Sequence, residues 1–462
     1  MLFVQKKSGF SVCCIGAGYV GGITGAVIAE KCRDVDVYVV DINGDRIAQW
    51  NSDTLPIYEA GLDAIVKRTR DRNLFFTTSF KHAVGSSVIV FLCVNTPIKK
   101  YGADRGRVYD LAYTEKAVIE IMKHTDSDKI IVEKSTVPCK TAEKIRALVE
   151  KTKKHKALNI EILSNPEFLA QGSAVGDLLD PDRVLIGSFP TDRGSSALGK
   201  LSALYRNWIP QEKIIASSIW TAELAKLAAN ALLAQRISSI NALGELCEKV
   251  GADVLQLSGV VGKDRRIGEK YLSCGIGFGG SCLEKDVCCL VYLCDYHGLP
   301  DAAEYWRQVL SMNRHQKERF TRKITEKMFS SVSGKRIAVL GAAFKKGTSD
   351  TRDSPAAAVM LGLLEEHATL AVYDPVVSRE EILDALGAKK GQAVSVCDSV
   401  EDACRGSSAV VVCTEWDVFR KIDFERVYSV MEKPAYVFDG RNILDRKKLA
   451  AIGFDVYSVG RL

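Results

Sequence analysis

The feature that most constrains the fold of this chain is a glycine-rich turn that follows a short apolar segment. Residues 11–15 read as a buried strand, Gly16-Ala17-Gly18-Tyr19-Val20-Gly21 follows, and a helix is predicted from about Val20 to Cys32. The first glycine permits a tight turn, the second lets a pyrophosphate approach the backbone, and the third lets the helix pack closely on the strand. The helix would point unpaired N–H groups and its positive dipole end at the phosphate. This pattern predicts a doubly wound α/β domain that binds a dinucleotide.

An acidic residue in the expected place supports this interpretation. A second predicted strand, residues 35–40, ends at Asp41, which lies about twenty residues after Gly21. A carboxylate there accepts hydrogen bonds from both ribose hydroxyls and repels a 2′-phosphate, so NAD is preferred to NADP. The alternative is a solvated Asp41 beside an ordinary glycine turn. Arg46 could stack on the adenine or face solvent.

Polar residues follow two further predicted strands. The strand over residues 87–94 ends in Asn95-Thr96-Pro97, and the strand over residues 129–132 ends in Glu133-Lys134-Ser135-Thr136. Because the carboxyl ends of parallel strands line the ligand crevice of a doubly wound sheet, Thr96, Ser135 and Thr136 are candidate ligand contacts. Hydroxyls in such places also often cap the next helix, and the sequence leaves the two interpretations even.

Composition sets the class of protein and excludes several functions. A length of 462 residues, with 47% hydrophobic and 26% charged residues, predicts about three globular domains. A net charge of +6 with interspersed signs makes nucleic acid a poor candidate partner. Residues 10–29 carry no charge, but their five glycines argue against a membrane helix. The 14 cysteines form no Cys-x-x-Cys pair and the six histidines no zinc-binding motif, so we expect no metal and a reduced, cytoplasmic protein.

The second half of the chain repeats the pattern of the first in altered form. Residues 221–250 predict one long helix, on which Lys226 and Asn230 share a face, either buried against a polar group or placed at the surface. From Gly334 onward, strand-then-glycine and strand-then-aspartate recur, but Lys345 and Lys346 stand where phosphate-binding glycines would be. The predicted fold is therefore α/β, with two Rossmann-like doubly wound domains joined by a long central helix. A second intact dinucleotide site is not expected, and Lys345 could reach another phosphate or lie in a solvated loop.

The stretch from Gly275 to Cys282 carries four glycines and delivers one cysteine at the start of a predicted helix. A thiol near a helix N-terminus and a lysine has its thiolate favoured, which makes Cys282 a candidate nucleophile; a small residue in a crowded turn is the alternative. An aldehyde has no second hydride to give until a nucleophile adds to its carbonyl. A cysteine on a dinucleotide-binding fold therefore indicates oxidation of an aldehyde, or of an alcohol to an acid.

A set of long motifs extends over nearly the whole chain: GAGYVGG, VNTP, EKSTVP, SNPEFLA, AELAKLAANALLAQRISSINA, DRRIG, GFGGSCLEKDV, AAFKKGTSDTRDSP and FDGRN. Together they resemble the UDP-glucose/GDP-mannose dehydrogenase family, particularly its longer eukaryotic form. The resemblance implies NAD-dependent four-electron oxidation of UDP-glucose to UDP-glucuronate. It also implies a homo-oligomer, at least a dimer, with a hexamer left open. The expected domains are an NAD-binding domain over 1–215, a central helical domain over 216–329 and a UDP-sugar-binding domain over 330–462.

The resemblance also implies roles for individual residues. Cys282 is the covalent nucleophile, and Lys226 with Asn230 holds the developing oxyanion and a water. Asp286, assisted by Thr136, orients or activates that water, and Glu167 is the general acid/base of thioester hydrolysis. Contacts to NAD are implied for Gly16, Gly18, Tyr19, Val20, Gly21, Asp41, Arg46, Val94, Asn95, Thr96, Pro97, Ser135, Thr136, Gln171, Lys285 and Arg352. Contacts to the sugar nucleotide are implied for Glu167, Phe168, Leu169, Lys226, Asn230, Tyr271, Phe278, Gly279, Phe344, Lys345 and Arg441, and for Arg266 lent by a neighbouring subunit.

One departure and three alternatives remain. Family members commonly carry an acid where this chain has Gln171, and we expect the change to affect cofactor binding more than chemistry. The same chemistry on GDP-mannose or UDP-N-acetylmannosamine is the nearest alternative function. A two-electron dehydrogenase of the hydroxyacid type needs no cysteine and yields one NADH per substrate. A non-catalytic nucleotide-binding protein would be expected to lack Cys282, Lys226 and Glu167.

Overall fold

The structure is a computed structural model that describes residues 10–102, 104–387 and 393–461. The chain divides into two compact units, Met1–Ala229 and Asn230–Leu462. The division falls within the longest helix, α9 (Ile219–Val250). Among the described residues, no helix combines the length and apolarity needed to cross a bilayer.

The first unit is built on one sheet of eight described strands in the order β3-β2-β1-β4-β5-β6-β7-β8. Neighbouring strands are parallel except β6 and β7, which are antiparallel. The strands are β1 (Ser11–Ile15), β2 (Asp36–Val40), β3 (Leu74–Thr77), β4 (Ile89–Leu92), β5 (Lys129–Glu133), β6 (Ile160–Ser164), β7 (Val184–Ser188) and β8 (Ile214–Ser218).

Helices cover this sheet. They are α1 (Tyr19–Lys31), α2 (Gly44–Trp50), α3 (Leu62–Thr69), α4 (Phe80–Ser86), α5 (Ala112–Lys123), α6 (Thr141–Thr152), α7 (Ala174–Leu179) and α8 (Asp192–Tyr205). Side chains of β1 alternate between two apolar clusters, with Val12 and Cys14 in one and Cys13 and Ile15 in the other. Burial on both faces explains why this strand reads as a continuous apolar run.

The second unit contains a sheet of six described parallel strands in the order β11-β10-β9-β12-β13-β14. The strands are β9 (Arg336–Leu340), β10 (Thr369–Tyr373), β11 (Val394–Val396), β12 (Ala409–Val412), β13 (Tyr436–Asp439) and β14 (Asp455–Ser458). The helices after α9 are α10 (Val254–Gly262), α11 (Leu283–Tyr296), α12 (Pro300–Lys327), α13 (Pro355–Glu365), α14 (Arg379–Ala385), α15 (Val400–Cys404), α16 (Phe424–Val430) and α17 (Arg446–Ile452).

The predicted fold class is confirmed. Each sheet contains the 3-2-1-4-5-6 strand order of a Rossmann fold, and the first sheet adds β7 and β8 beyond it. The predicted helix over residues 221–250 begins two residues earlier, at Ile219, because β8 leads directly into it. The two boundaries of the three predicted domains, after residues 215 and 329, stay a prediction.

Candidate active site

The glycine-rich turn after β1 has the geometry that its sequence predicts. Gly16 has a φ of +103°, and a Cβ there would lie 2.7 Å from the carbonyl oxygen of Cys93. A Cβ on Gly21 would lie 2.0 Å from the carbonyl oxygen of Gly16. Both glycines are therefore required by the fold, the first by the turn and the second by the close packing of α1 on β1.

The second glycine of the turn differs from these two. A Cβ on Gly18 would meet no atom within 4 Å, so open space lies in front of this backbone. Gly18 is also the N-cap of α1, and no side chain caps the helix. The first-turn N–H groups therefore remain available to an anion at the positive end of the helix dipole. The turn fits the pyrophosphate of a dinucleotide.

Asp41 follows β2 and lies beside this turn. Its Oδ2 accepts a hydrogen bond from the backbone N–H of Ala17 at 2.8 Å, and its Oδ1 accepts one from Asn43 at 2.9 Å. A carboxylate accepts about four hydrogen bonds, so capacity remains for ribose hydroxyls. Arg46 Nη1 lies 4.0 Å from Asp41 Oδ2 with its side chain 41% exposed, which leaves the guanidinium accessible.

Hydroxyl groups after β4 and β5 tie two loops together. Thr96 Oγ1 donates to the carbonyl oxygen of Thr136 at 2.8 Å, and Ser135 Oγ donates to that of Val94 at 2.7 Å. The N-caps of the following helices, α5 and α6, are Leu111 and Lys140. The helix-capping interpretation of Thr96, Ser135 and Thr136 is therefore wrong. Asn95 and Pro97 lie in the loop after β4, on either side of Thr96.

Tyr19 makes a contact that the sequence did not predict. Its hydroxyl donates a short hydrogen bond to Glu59, whose carboxylate also accepts from the backbone N–H groups of Gly172 at 3.0 Å and Ala174 at 2.8 Å. Burial and the Glu59 carboxylate raise the pKa of Tyr19. Tyr19 therefore links the glycine turn to the loop that carries Gln171. Glu59 gave no signal in the sequence because it lies far along the chain from all three of these partners.

Glu167 and Lys226 form a buried ion pair. Lys226 Nζ lies 3.2 Å from Glu167 Oε1, and the two side chains are 4% and 9% exposed. Glu167 Oε2 accepts a hydrogen bond from the backbone N–H of Leu169 at 2.7 Å, and Lys226 Nζ lies 5.5 Å from the ring centroid of Phe168. The interpretation of Lys226 as a surface lysine is wrong. A carboxylate held in contact with an ammonium can exchange a proton with a bound water.

The second unit holds its own buried polar cluster around Asp286 on α11. This aspartate is fully buried, accepts a hydrogen bond from Asn230 Nδ2 at 2.6 Å and lies 3.3 Å from Lys285 Nζ. Asn230, which sits four positions after Lys226 on α9, is 8% exposed. The predicted water-orienting group is thus fixed by two partners. Lys285, predicted to contact the cofactor, faces this carboxylate.

Cys282 is the N-cap of α11 and its side chain is exposed. Its Sγ lies 3.5 Å from Ser281 Oγ. Other cysteines of the same unit differ: burial raises the pKa of Cys274 and of Cys289 to about 12. An exposed thiol at the positive end of a helix is the form in which cysteine is reactive, so the interpretation of Cys282 as turn filler is not favoured.

Two amides on α12 hold the glycine-rich loop that precedes Cys282. Buried Asn313 accepts from the backbone N–H of Phe278 at 2.8 Å and donates to its carbonyl oxygen at 3.1 Å. Gln316 Nε2 donates to the carbonyl oxygen of Gly275 at 2.7 Å. Polar residues three apart on the buried face of a helix are a signal that could have identified these residues.

The remaining candidates of the second unit collect around the turn after β9. A Cβ on Gly280 would lie 2.8 Å from the Phe344 ring, and one on Gly279 2.3 Å from the Asp353 carbonyl oxygen. Arg441 donates to the carbonyl oxygens of Cys413 at 2.7 Å and Phe344 at 3.0 Å. Lys345 Nζ lies 5.8 Å from the Phe344 ring centroid, and Arg352 pairs with Asp350 at 2.6 Å.

Two further candidates have exposed side chains. Tyr271 is 41% exposed, and the Arg266 side chain is 88% exposed and pairs with Asp264 at 2.6 Å. Among the described residues, no group of three or more His, Cys, Asp or Glu side chains is placed to hold a metal ion.

Comparison with known proteins identifies the family. Residues 10–209 match the UDP-glucose/GDP-mannose dehydrogenase family, NAD binding domain; residues 220–315 match the central domain of that family, and residues 338–446 its UDP binding domain. UDP-glucose 6-dehydrogenase 2 of Oryza sativa subsp. japonica is 50% identical over 466 residues, which cover 97% of each chain. UDP-glucose 6-dehydrogenase of Drosophila melanogaster is 51% identical over 458 residues, covering 97% of this chain and 96% of that one.

Solved structures give the same result. The structure of a UDP-glucose dehydrogenase from the archaeon Pyrobaculum islandicum aligns with a TM-score of 0.85 at 28% identity, covering 100% of this chain and 99% of that chain. This alignment includes both sheets and the glycine-rich turn described above. The chain belongs to the UDP-glucose/GDP-mannose dehydrogenase family.

Proposed function

We propose that this chain oxidises UDP-glucose to UDP-glucuronate with two molecules of NAD. The observation that carries the proposal is the exposed Cys282 thiol at the N-terminus of α11, in a chain that also holds an NAD-type turn. A thiol nucleophile is needed only when oxidation continues past the aldehyde. Half of all residues are shared with relatives named UDP-glucose 6-dehydrogenase, which supports UDP-glucose as the substrate.

In this proposal, residues of the first unit bind NAD and residues of the second unit bind the uridine diphosphate of the substrate. Gly18, the uncapped start of α1 and Asp41 would hold NAD, which accepts a hydride at each oxidation when bound. Lys345 and Arg441, in the part matched by the UDP binding domain, would hold the uridine diphosphate through their positive charges. Tyr271, Phe278 and Phe344 would add apolar contacts to the sugar nucleotide.

Oxidation proceeds in two hydride transfers on the 6-carbon of the sugar. The 6-hydroxyl passes its proton to the water placed by Asp286 and the carbon loses a hydride, which gives an aldehyde. The Cys282 thiolate then adds to the aldehyde carbon, and the resulting oxyanion is stabilised by Lys226 and Asn230. Loss of a second hydride from this thiohemiacetal gives a thioester on Cys282.

Hydrolysis completes the reaction. A water placed by Asp286 and Thr136 adds to the thioester carbonyl carbon, and Glu167 takes the proton of that water. The tetrahedral oxyanion collapses, the carbon–sulfur bond breaks, and the Cys282 thiolate leaves with the electron pair. The carboxylic acid formed in this step loses its proton to solvent, which gives the carboxylate of UDP-glucuronate.

The experiment that tests the function is a count of NADH per UDP-glucose consumed, by absorbance of the reduced cofactor. Two NADH are expected; one NADH would instead indicate a two-electron dehydrogenase. Cys282→Ser should abolish formation of free acid and leave NAD binding unchanged, while Cys288→Ser on the same helix should keep full turnover. Parallel assays with GDP-mannose and UDP-N-acetylmannosamine would overturn the substrate assignment if either were turned over faster.

We also propose that copies of this chain assemble into a homo-oligomer that is at least a dimer. Apolar side chains recur on one face of α9 and remain exposed: Leu243 by 42%, Leu246 by 55% and Val250 by 66%. A second copy is the simplest cover for such a stripe. Arg266 is 88% exposed and pairs with Asp264, which is two residues away, as expected for a residue that contacts another subunit. Leu246→Glu should lower the mass measured by sedimentation, with loss of activity at low protein concentration.

The proposed location is a reducing compartment such as the cytoplasm. All 14 cysteines, none of which falls in an undescribed range, are free thiols. Titration of the unfolded chain, isolated from its own cells with thiols blocked at lysis, should find every cysteine reduced.

A further inference from the structure

A second buried lysine lies near the Glu167–Lys226 pair and has no part in the mechanism above. Lys134 follows β5 directly and is 3% exposed. Its Nζ donates to Asn165 Oδ1 at 3.1 Å and to the Tyr205 hydroxyl at 3.3 Å, and lies 5.8 Å from the Tyr205 ring centroid. These partners are neutral, so they replace water around the ammonium but do not balance its charge.

Lys134 lies within the electrostatic range of four titratable groups. The thiol of Cys93, the carboxylate of Glu167 and the thiol of Cys14 favour the charged ammonium, in that order, and Lys226 opposes it. Burial lowers the pKa of Lys134 to about 8. Glu167 thus interacts with two buried lysines, and one of them changes its charge near physiological pH.

The partners of Lys134 also fix the segment that carries Glu167. Asn165 stands two residues before Glu167; its backbone N–H donates to the Glu133 carbonyl oxygen at 2.8 Å, and its Nδ2 donates to that of Leu185 at 2.8 Å. The Tyr205 hydroxyl donates to Asn165 Oδ1 at 2.6 Å, the atom that Lys134 also contacts. Lys134 and Tyr205 together therefore fill both acceptor positions of that amide oxygen.

We propose that Lys134 is a positioning residue for thioester hydrolysis, which holds the segment 165–167 and supplies Glu167 with a second cation. The inference rests on the proposed function. Lys226 interacts with two anions in that step: the Glu167 carboxylate, which lies 3.2 Å away, and the oxyanion that forms on the substrate. A second ammonium that balances Glu167 leaves Lys226 free to stabilise the oxyanion, whose charge is new in the transition state.

The test separates hydrolysis from the hydride transfers. NADH formation is followed in a single turnover, and the thioester on Cys282 is followed by the mass of the intact protein. In Lys134→Met, hydrolysis should fall by roughly 10- to 100-fold and the thioester should accumulate, while the first NADH forms at nearly the parent rate. The thiol is acylated at this stage, so its titration does not enter the pH profile.

A merely structural role of Lys134 would not change the pH profile of hydrolysis, so this profile is the decisive measurement. In the parent enzyme, hydrolysis should decline with a midpoint near pH 8, as Lys134 loses its charge, and Lys134→Met should lack this decline. Tyr205→Phe removes an oxygen that accepts from the ammonium, so its midpoint should move to lower pH. This second variant keeps the proposal falsifiable even if Lys134→Met does not fold.

Lys129→Met is the matched control. Lys129 begins β5, the strand that Lys134 follows, is 2% exposed and donates to the Ser87 carbonyl oxygen at 2.7 Å, so its loss also removes a buried lysine. Its hydrolysis profile should keep the parent midpoint. An unchanged profile in both Lys134→Met and Tyr205→Phe would overturn the inference, while failure of the parent to release two NADH would overturn the proposed function instead.

Discussion

The turns after β1 and β9 start from the same backbone plan and serve different ends. Gly16 has a φ of +103° and donates to the Val40 carbonyl oxygen at 2.7 Å; Gly341 has a φ of +98° and donates to that of Tyr373 at 2.8 Å. In both units an aspartate at the end of the next strand accepts from the backbone of the turn, Asp41 in the first and Asp374 in the second. The plan that both units share is therefore a requirement of the fold.

The two aspartates differ in how many hydrogen bonds each already accepts from the protein. Asp41 accepts hydrogen bonds from two backbone N–H groups. Asp374 accepts from four, and its Oδ2 also accepts from Trp416 Nε1 at 3.1 Å. A carboxylate with five donors has no capacity left for a ribose. The second aspartate is thus structural, whereas the first can bind a ligand.

The helices after the two turns also differ in how many backbone N–H groups of their first turn are free of internal partners. α1 begins directly after Gly18 with no capping side chain. α13 begins only at Pro355, which has no N–H group, and the Ser354 side chain accepts from the Ala356 N–H at 3.2 Å. The first-turn donors are open in α1 and partly used in α13. Internal partners, rather than loss of the Rossmann topology, therefore explain why we expect one dinucleotide per chain.

The largest effect is expected where the two turns agree. Gly16→Ala and Gly341→Ala each force a side chain into positive φ, at about 1–2 kcal/mol, and into contact with Cys93 or Thr414 at 2.7 Å or less, at about 1–3 kcal/mol more. The midpoint of thermal unfolding should fall by roughly 5–15 °C in both. Gly199→Ala in α8, where a Cβ meets nothing within 4 Å, is the control and should be neutral or slightly stabilising. Equal stability of Gly16→Ala and the parent would contradict the shared plan.

The next effect separates binding from folding. A methyl group at Gly18 meets no protein atom but occupies the approach of the pyrophosphate, so Gly18→Ala should weaken NAD binding by roughly 10- to 100-fold with an unchanged unfolding midpoint. The corresponding position after β9 is Ala343, and Ala343→Gly should leave NAD binding as it is. Calorimetric titration with NAD measures both, and normal binding by the Gly18→Ala variant would refute the role of the open backbone.

The features that sequence patterns predicted are local in the chain. The turn at 16–21, Asp41 and the strands β1, β2, β4 and β5 follow from spacings of a few residues and from apolar runs. The sequence did not predict the buried contacts between distant segments, such as Glu59 with Gly172 and Lys134 with Tyr205. Spacing carries no information on such pairs. The burial of the Lys226–Glu167 pair likewise needed the fold, since periodicity allowed an exposed lysine equally well.

A smaller effect is expected from the aspartates themselves. Asp41→Asn removes the charge that strengthens hydrogen bonds to the ribose, so NAD affinity should fall about tenfold, or ~1.4 kcal/mol. The amide leaves one backbone N–H group without its acceptor, so the unfolding midpoint should fall less than in Asp374→Asn. Asp374→Asn leaves two backbone N–H groups facing an amide, so the unfolding midpoint should fall by a few degrees and NAD affinity should not change. The comparison fails if the Asp374 variant loses NAD or the Asp41 variant does not.

The smallest effect tests whether internal partners alone close the second turn. Trp416→Phe keeps the aromatic packing and removes one hydrogen bond to Asp374 Oδ2, which should cost about 1 kcal/mol and lower the unfolding midpoint by a few degrees. Four backbone donors still hold that carboxylate, and Ser354 still caps α13, so calorimetry should count one NAD per chain as in the parent. A second bound NAD in this variant would mean that Trp416 alone excludes the dinucleotide, and that the turn after β9 keeps a latent nucleotide site. Unchanged stoichiometry would place the difference in the backbone of the turn, where Ala343 replaces the glycine that an approaching pyrophosphate requires.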